Sequence, residues 1–332
     1  MSTRCLYIGD PHVCPTELDD ADALMRCVSD AVVAHRPDRV VFLGDEFHTH
    51  AIVHLEVMHW WVVNLLSLGV RVPTWVLVGN HDKCGNGRSD IHALEPMKHI
   101  PGVTVVEAPV EFLPGVLVLP HMDTWEGFRT ACEQNPVPVA VCHNTFKGTT
   151  LENGFYAPDG FDVTTLPQEM FLSGHIHTPQ EFGKVWYLGA PRWRIATDAN
   201  VDRALWLVTH GDDGRVVART PLDTGTYCRR IINADEVEGG QLDPEGYDTK
   251  KDDVRLTITG SEAFLKASVP VRTAQGFRVR TVKVGAGAVA RVRESEGIPQ
   301  AFRKFAGAYE CKRGTPRDVL LRLAAERLAT GG

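Results

Sequence analysis

Residues 40–48 read VVFLGDEFH, and the reading of this stretch decides the fold. Val40–Leu43 is an apolar, largely β-branched run too short for a helix, so it reads as a strand buried on both faces. Gly44 lets the backbone turn sharply, and Asp45 then stands at the strand's end. The same pattern recurs along the chain. Arg4–Ile8 runs into Gly9-Asp10-Pro11-His12, and Trp75–Val78 into Gly79-Asn80-His81-Asp82. Val137–Cys142 runs into His143, and Met170–Leu172 into Gly174-His175-Ile176-His177.

Helical periodicity lies between these strands. Asp19–His35 carries Leu24, Met25, Val28 and Val32 on one face, and Ile52–Leu68 is a second helix stopped by Gly69. Weaker strands are expected at Val103–Glu107, Val116–Leu119, Val185–Leu188 and Ala204–Val208. Strands alternating with helices predict a layered α/β domain, in which loops at one sheet edge converge on a crevice. Two carboxylates, an Asn oxygen and several imidazoles would meet there, a donor set suited to divalent metals. The polar stretch from His143 to Leu166 is longer than an ordinary connection and reads as a functional loop.

The whole chain, 332 residues with 43% hydrophobic and 23% charged, reads as globular, with room for one large domain and an accessory part. No run approaches the roughly 18 apolar residues that span a bilayer. The opening MSTRCLYIGD enters a strand pattern at once rather than a signal peptide, so a cytoplasmic location and no membrane partner are expected. The eight cysteines are scattered without a C-x-x-C, which argues against a disulfide framework or a Cys-based zinc site. Charge is uneven. From Lys250 onward 17 Lys and Arg face 8 Asp and Glu, whereas the preceding chain holds 18 against 34. A basic tail on an acidic body suits a polyanionic or acidic partner, or is a solvated surface.

The five motifs, in this order and each behind a strand, resemble the signature of calcineurin-like metallophosphoesterases over roughly residues 1–210. The resemblance implies a layered β-sandwich flanked by helices. It assigns Asp10, His12, Asp45 and His177 to one metal, and Asp45, Asn80, His143 and His175 to the other, with Asp45 bridging. Manganese is the expected metal, with magnesium, iron or zinc as alternatives. A hydroxide bridging the two ions would attack phosphorus in line. His81 would protonate the leaving oxygen or stabilise its charge. Asp82 would either orient that imidazole or stabilise its own loop.

Gly44-Asp45-Glu46-Phe47-His48 is similar to the Gly-Asp-Leu-Phe-His form of SbcD-type DNA repair nucleases, in which His48 would contact the scissile phosphate. Glu46 departs from the leucine of that form. Asn153-Gly154-Phe155, the Phe171–Thr178 segment and Tyr187-Leu188-Gly189-Ala190-Pro191 resemble the small subunit of tailed-phage recombination endonucleases. That likeness implies DNA as substrate, an SbcC-like ATPase as partner and a homodimer. The chain lacks G-x-x-x-x-G-K-[ST], so an ATP-driven step would need another subunit. Arg192 and Arg194 either reach nucleic acid near the metals or serve as surface charge. His121, after Leu119-Pro120, could line the crevice; His50 and His54 share a helix face without a third ligand.

The expected domains are a catalytic domain over 1–220, an acidic linker over 221–250 and a small αβ cap over 251–290. A basic helical tail follows over 291–332. In that tail Thr315 caps and Val319, Leu320, Leu323, Ala324 and Leu328 form a stripe for its own domain or a partner. A phosphomonoesterase or phosphoprotein phosphatase on the same scaffold is the competing activity. A binding subunit with a vestigial site is the non-enzymatic one.

Overall fold

Strand β1 (Thr3–Ile8) pairs in parallel with β2 (Arg39–Phe42), β2 with β3 (Thr74–Leu77), and β3 with β4 (Val103–Val106). The crossovers are helices α1 (Leu18–His35) and α2 (Leu55–Gly69), which pack their apolar faces on this sheet. Helix α1 buries Leu24, Met25, Val28 and Val32, the stripe expected from the sequence, and stops where Arg36 turns left-handed at φ 47°. On the far side of β1 the sheet continues antiparallel through β11 (Ala204–His210) and β12 (Val216–Asp223), giving the order β12-β11-β1-β2-β3-β4. The computed structural model describes residues 2–50, 52–85, 89–151, 154–194, 201–224, 231–240, 242–249 and 252–283.

A second six-stranded sheet runs β5 (Val110–Leu113), β6 (Val116–Val118), β7 (Val139–Cys142), β8 (Met170–Ser173), β10 (Val185–Tyr187) and β9 (Gln180–Phe182). Strands β6, β7, β8 and β10 are parallel neighbours. Tyr7, Val41 and Leu77 of the first sheet share a buried cluster with Val116, Val141 and Leu172 of the second, so the two sheets form a sandwich. Helix α3 (Trp125–Gln134) covers the outer face of the second sheet through Phe128, Ala131 and Cys132. Being buried on both faces, the central strands are continuous apolar runs rather than alternating ones, which is why they were legible.

The chain divides at Ile231 into two compact units. The second holds β13 (Ile231–Val237), β14 (Asp253–Gly260) and β15 (Arg278–Lys283), with β14 and β15 parallel and joined by α4 (Glu262–Ala274). Its small core gathers Ala234, Val254, Leu256, Ile258 and Phe277. Two expectations change. The stretch 221–250 is not linker throughout, because β12 ends at Asp223 and β13 occupies Ile231–Val237. Acidic residues hid that strand, although Glu236 is neutralised by Arg272 through contacts of 2.9 and 2.6 Å. Helix α3 was also unread, since its buried stripe is only three residues long; Thr124 caps it by accepting from the Gly127 N–H. The basic tail expected over 291–332 lies outside the described residues. Among the described residues no helix is long and apolar enough to cross a membrane.

Trp61 ties the helical layer to the loop after β2. It has no solvent exposure, stands edge-on to Phe42 at 5.6 Å and donates its indole N–H to the Glu46 carbonyl at 3.1 Å. Trp61→Ala is expected to lose about 3–5 kcal/mol of stability in urea unfolding, and Trp61→Phe distinctly less.

Candidate metal centre

The residues that follow β1, β2 and β3 meet those that follow β7 and β8 where the two sheets face one another. Asp10, His12, Asp45, Asn80 and His143 all become buried there. Four donor atoms gather tightly. The Asn80 Oδ1 lies 2.8 Å from His175 Nδ1 and 3.1 Å from His143 Nε2. The Asp45 Oδ1 is 3.2 Å from His143 Nε2, which is 3.3 Å from His175 Nδ1. The other Asp45 oxygen, Oδ2, faces His12 Nε2 at 3.4 Å. The His12 ring lies 4.9 Å from that of His177, centroid to centroid. Asp45 therefore spans two donor sets. Six of the seven residues expected as ligands thus come together here; the seventh, Asp10, lies beside them, its Oδ1 accepting from the His175 N–H at 2.8 Å and standing 3.4 Å from His143 Nδ1.

The residues fit divalent ions. The Asp10 Oδ2 and His12 Nδ1 are buried without a hydrogen-bond partner, although burial ordinarily demands one. The ligand atoms of Asp45, His143 and His175 all lie within 4.8 Å of one another. Carboxylate, amide oxygen and imidazole suit manganese, iron or zinc. Burial holds His12 well below its ordinary pKa and takes His175 down to about 3, so these imidazoles are neutral and able to ligate. Burial also disfavours the charged form of His143, but the charge and hydrogen bond of Asp45, with Asp10 behind, raise it to about 9. Burial opposes ionisation of Asp45 too, yet His143 keeps its carboxyl well below the usual range.

The backbone is strained to make this arrangement. Among the described non-glycine residues, φ is positive at four, and three of them are ligands: His12 at 45°, Asp45 at 57° and His175 at 82°. Such conformations cost of order 1–3 kcal/mol each and persist only when their surroundings hold them. Gly44, at φ 104°, makes the turn before Asp45 as expected. Gly79 serves otherwise: its φ is ordinary, but a Cβ there would stand 2.2 Å from Asp45 Oδ1 and 2.3 Å from Asp45 N. It is needed for room.

Asp82 is the loop-organising carboxylate and does not orient His81. Its Oδ2 accepts from the N–H groups of Asp45 and Gly79, both at 2.9 Å, and its Oδ1 from Phe47 N–H at 3.0 Å. The His81 ring turns instead to the His48 carbonyl, at 2.7 Å from Nδ1. A carbonyl only accepts, so Nδ1 carries the proton and Nε2 is the nitrogen left for chemistry. Glu46, fully buried in the place of the leucine of the nuclease form, has its carboxyl raised well above the usual range by burial and by Asp82, which favours its neutral form.

His48 stacks on His81 at 6.1 Å and lies 5.7 Å from His12, centroid to centroid. The Arg194 guanidinium donates to His48 Nδ1 at 3.2 Å, which leaves the proton of the neutral ring on Nε2. Burial, then the charge of Arg194, lowers the His48 pKa to about 4. Arg192 does not reach outward. Fully buried, it donates to the carbonyls of Pro11 and His12 at 3.1 Å and to Glu17 at 2.9 Å, bracing the loop after β1. Glu17 also holds Arg194 at 2.9 Å.

Two histidines gain meaning from the fold. His121 bonds the His143 carbonyl through Nδ1 at 3.0 Å and lies 6.0 Å from the His175 ring; its position after an apolar run was the signal. His50, expected at the surface, is exposed but packs 4.9 Å from His81, a contact that one sequence position cannot announce. His92, which carries no sequence signal, meets Glu107 at 3.1 Å in a surface cluster with Glu95 and Lys98.

The family model described as Calcineurin-like phosphoesterase matches residues 3–179. A protein of Invertebrate iridescent virus 3, by name phosphoesterase 078R, is 27% identical over 186 residues, or 53% of each chain. The chain thus spans about half the length of this curated relative. Among solved structures, the E. coli phosphoesterase Yfce aligns over 66% of this chain and 100% of its own, at 13% identity and a TM-score of 0.34.

Manganese at a hundred times its dissociation constant is expected to stabilise the protein by about 2.7 kcal/mol, read as a rise in melting temperature. Asp82→Asn sets an amide N–H against a buried backbone donor, and is expected to weaken manganese binding about 10–100-fold in calorimetric titration. Gly79→Ala, which drives a methyl into Asp45, is expected to abolish binding in the same titration.

Proposed function

The chain belongs to the calcineurin-like phosphoesterase family, and from that premise we propose that it is a dinuclear-metal-dependent DNA nuclease. In this reading it is the catalytic subunit of a recombination or repair complex with an SbcC-like ATPase, acting as a homodimer with manganese. The observation that carries the reading is His48: neutral, fixed by Arg194 with its proton on Nε2, and stacked on His81 beside the donor sets. A neutral donor suits a diester oxygen, whereas many phosphatases of the family carry an aspartate in this motif.

Asp10, His12, Asp45 and His177 would hold one ion, and Asp45, Asn80, His143 and His175 the other. Such ions, when bound, neutralise charge on the phosphoryl oxygens and lower the pKa of water. The chain's own groups do the rest. His48 donates from Nε2 to a non-bridging phosphate oxygen. His81, anchored by its own N–H on Asp45 Oδ1 at 2.8 Å and by Nδ1 on His48, brings Nε2 to the leaving oxygen; as an imidazolium it gives its Nε2 proton to that oxygen and keeps the Nδ1 proton on the His48 carbonyl. Arg194 positions His48, and Arg192 braces the His12 loop. Any ATP-driven step would have to come from another subunit, because the sequence carries no P-loop, and its basic C-terminal region is where backbone phosphates could be held.

With labelled duplex and single-stranded DNA and added manganese, the protein is expected to cleave, and Asp45→Asn to leave the DNA intact. His81→Ala is expected to lower kcat by about 10²–10⁴ with little change in metal affinity. Metal-loaded protein that leaves DNA untouched, with and without its ATPase, yet rapidly hydrolyses phosphomonoesters would replace this reading with a phosphatase.

A further inference from the structure

On the His121 side of the centre the protein has an open pocket of about 340 Å³, lined by Lys83, Asp90, Glu107, His121, Asp123 and Thr124 among others. It belongs to the neighbourhood of the chemistry. The His121 ring that forms one wall lies 6.0 Å from His175 and 6.1 Å from His143. Lys83 follows Asp82 on the loop that carries Asn80 and His81, and its ammonium donates to the His121 carbonyl at 2.9 Å. The rest of the lining follows β4, at Glu107–Pro109, and β6, in the Pro120–Thr124 segment that carries His121, so both sheets contribute to the pocket.

The lining restricts what can enter. Glu107 is paired with Lys98 and His92, and Asp90 and Asp123 outnumber the Lys83 ammonium, so the lining disfavours a second phosphate and is no track for a polyanionic backbone. Its polar walls offer little to a purely apolar group. The size falls within the range of small-ligand sites, at the low end of about 300–1,000 Å³. Carboxylates accept from N–H and O–H groups, while Lys83 donates to carbonyl or ring-nitrogen acceptors. A neutral group rich in both kinds of edge meets these demands.

We propose that this pocket binds the nucleoside esterified to the scissile phosphate, with Asp90 and Asp123 accepting from base or sugar donors and Lys83 donating to a base acceptor. The proposal rests on the phosphodiesterase reading and adds to it a subsite for base and sugar. A phosphate seated between His48 and the donor sets would carry one substituent toward His81 and the other toward His121.

The test compares two diesters on the manganese-loaded full chain: the 4-nitrophenyl ester of thymidine 5′-monophosphate, and bis(4-nitrophenyl) phosphate, which has no nucleoside. The readout is the ratio of their kcat/KM values in the wild type, in Asp123→Ala and in the double variant Asp90→Ala/Asp123→Ala. The wild type is expected to favour the nucleotide ester, and the double variant to lose that preference about tenfold through KM. In parallel, thymidine 5′-monophosphate is expected to bind the wild type at least about tenfold more tightly than inorganic phosphate by calorimetry, and the double variant not to discriminate. Both diesters hydrolysed with a ratio and a binding preference that the substitutions leave unchanged would overturn the nucleoside subsite while sparing the phosphodiesterase. Turnover of neither diester by the wild type would overturn the phosphodiesterase reading itself, and the subsite with it.

Discussion

A single buried carboxylate holds the two central loops of the molecule in register. Asp82 takes the N–H groups of Asp45 and Phe47 from the loop after β2, and that of Gly79 from the loop after β3. Each of those groups would otherwise be a buried donor without a partner, at a cost of about 1–3 kcal/mol. Meeting all three at one side chain is what permits Asp45 its left-handed backbone and Gly79 its close approach to the Asp45 carboxylate. Asp45 in turn receives the His81 N–H and faces both His12 and His143. The centre is thus built outward from hydrogen bonds within the scaffold, with the ligands as its last layer.

A second brace works on the other side. Arg192 and Arg194 share Glu17, whose carboxyl stays below its usual range because their pull outweighs the effect of burial. One guanidinium locks the loop that bears His12; the other fixes the tautomer of His48. Sequence position could suggest that both arginines lie near the metals, but not that one of them is wholly inside the protein.

The fold was legible wherever burial on both faces produced unbroken apolar runs: β1, β2, β3, β7 and β8 all stood out, and each ends at a ligand. Edge strands such as β5, β9 and β12 escaped notice because their residues are partly exposed, as the short mixed stretches Val110–Leu113 and Gln180–Phe182 illustrate. Strand β13 was hidden by acids whose partners lie far off in sequence, Arg272 being 36 residues from Glu236. The seven residues expected as ligands were legible as a set since each sits at a fixed offset from its strand. Asp82 left two roles open that only its bond lengths separate. Glu46 looked like a charge, yet its neutral form is favoured by surroundings that no local pattern records.

The placement of the two Asp45 oxygens on opposite sides has a consequence for how the centre fills. One carboxylate cannot rotate to suit one donor set without altering its presentation to the other, and its backbone is already fixed by Asp82. An ion in either set would therefore change the affinity of the other set, and by linkage the effect would be mutual and equal in free energy. A centre filled by two ions would then behave as one thermodynamic unit with two seats.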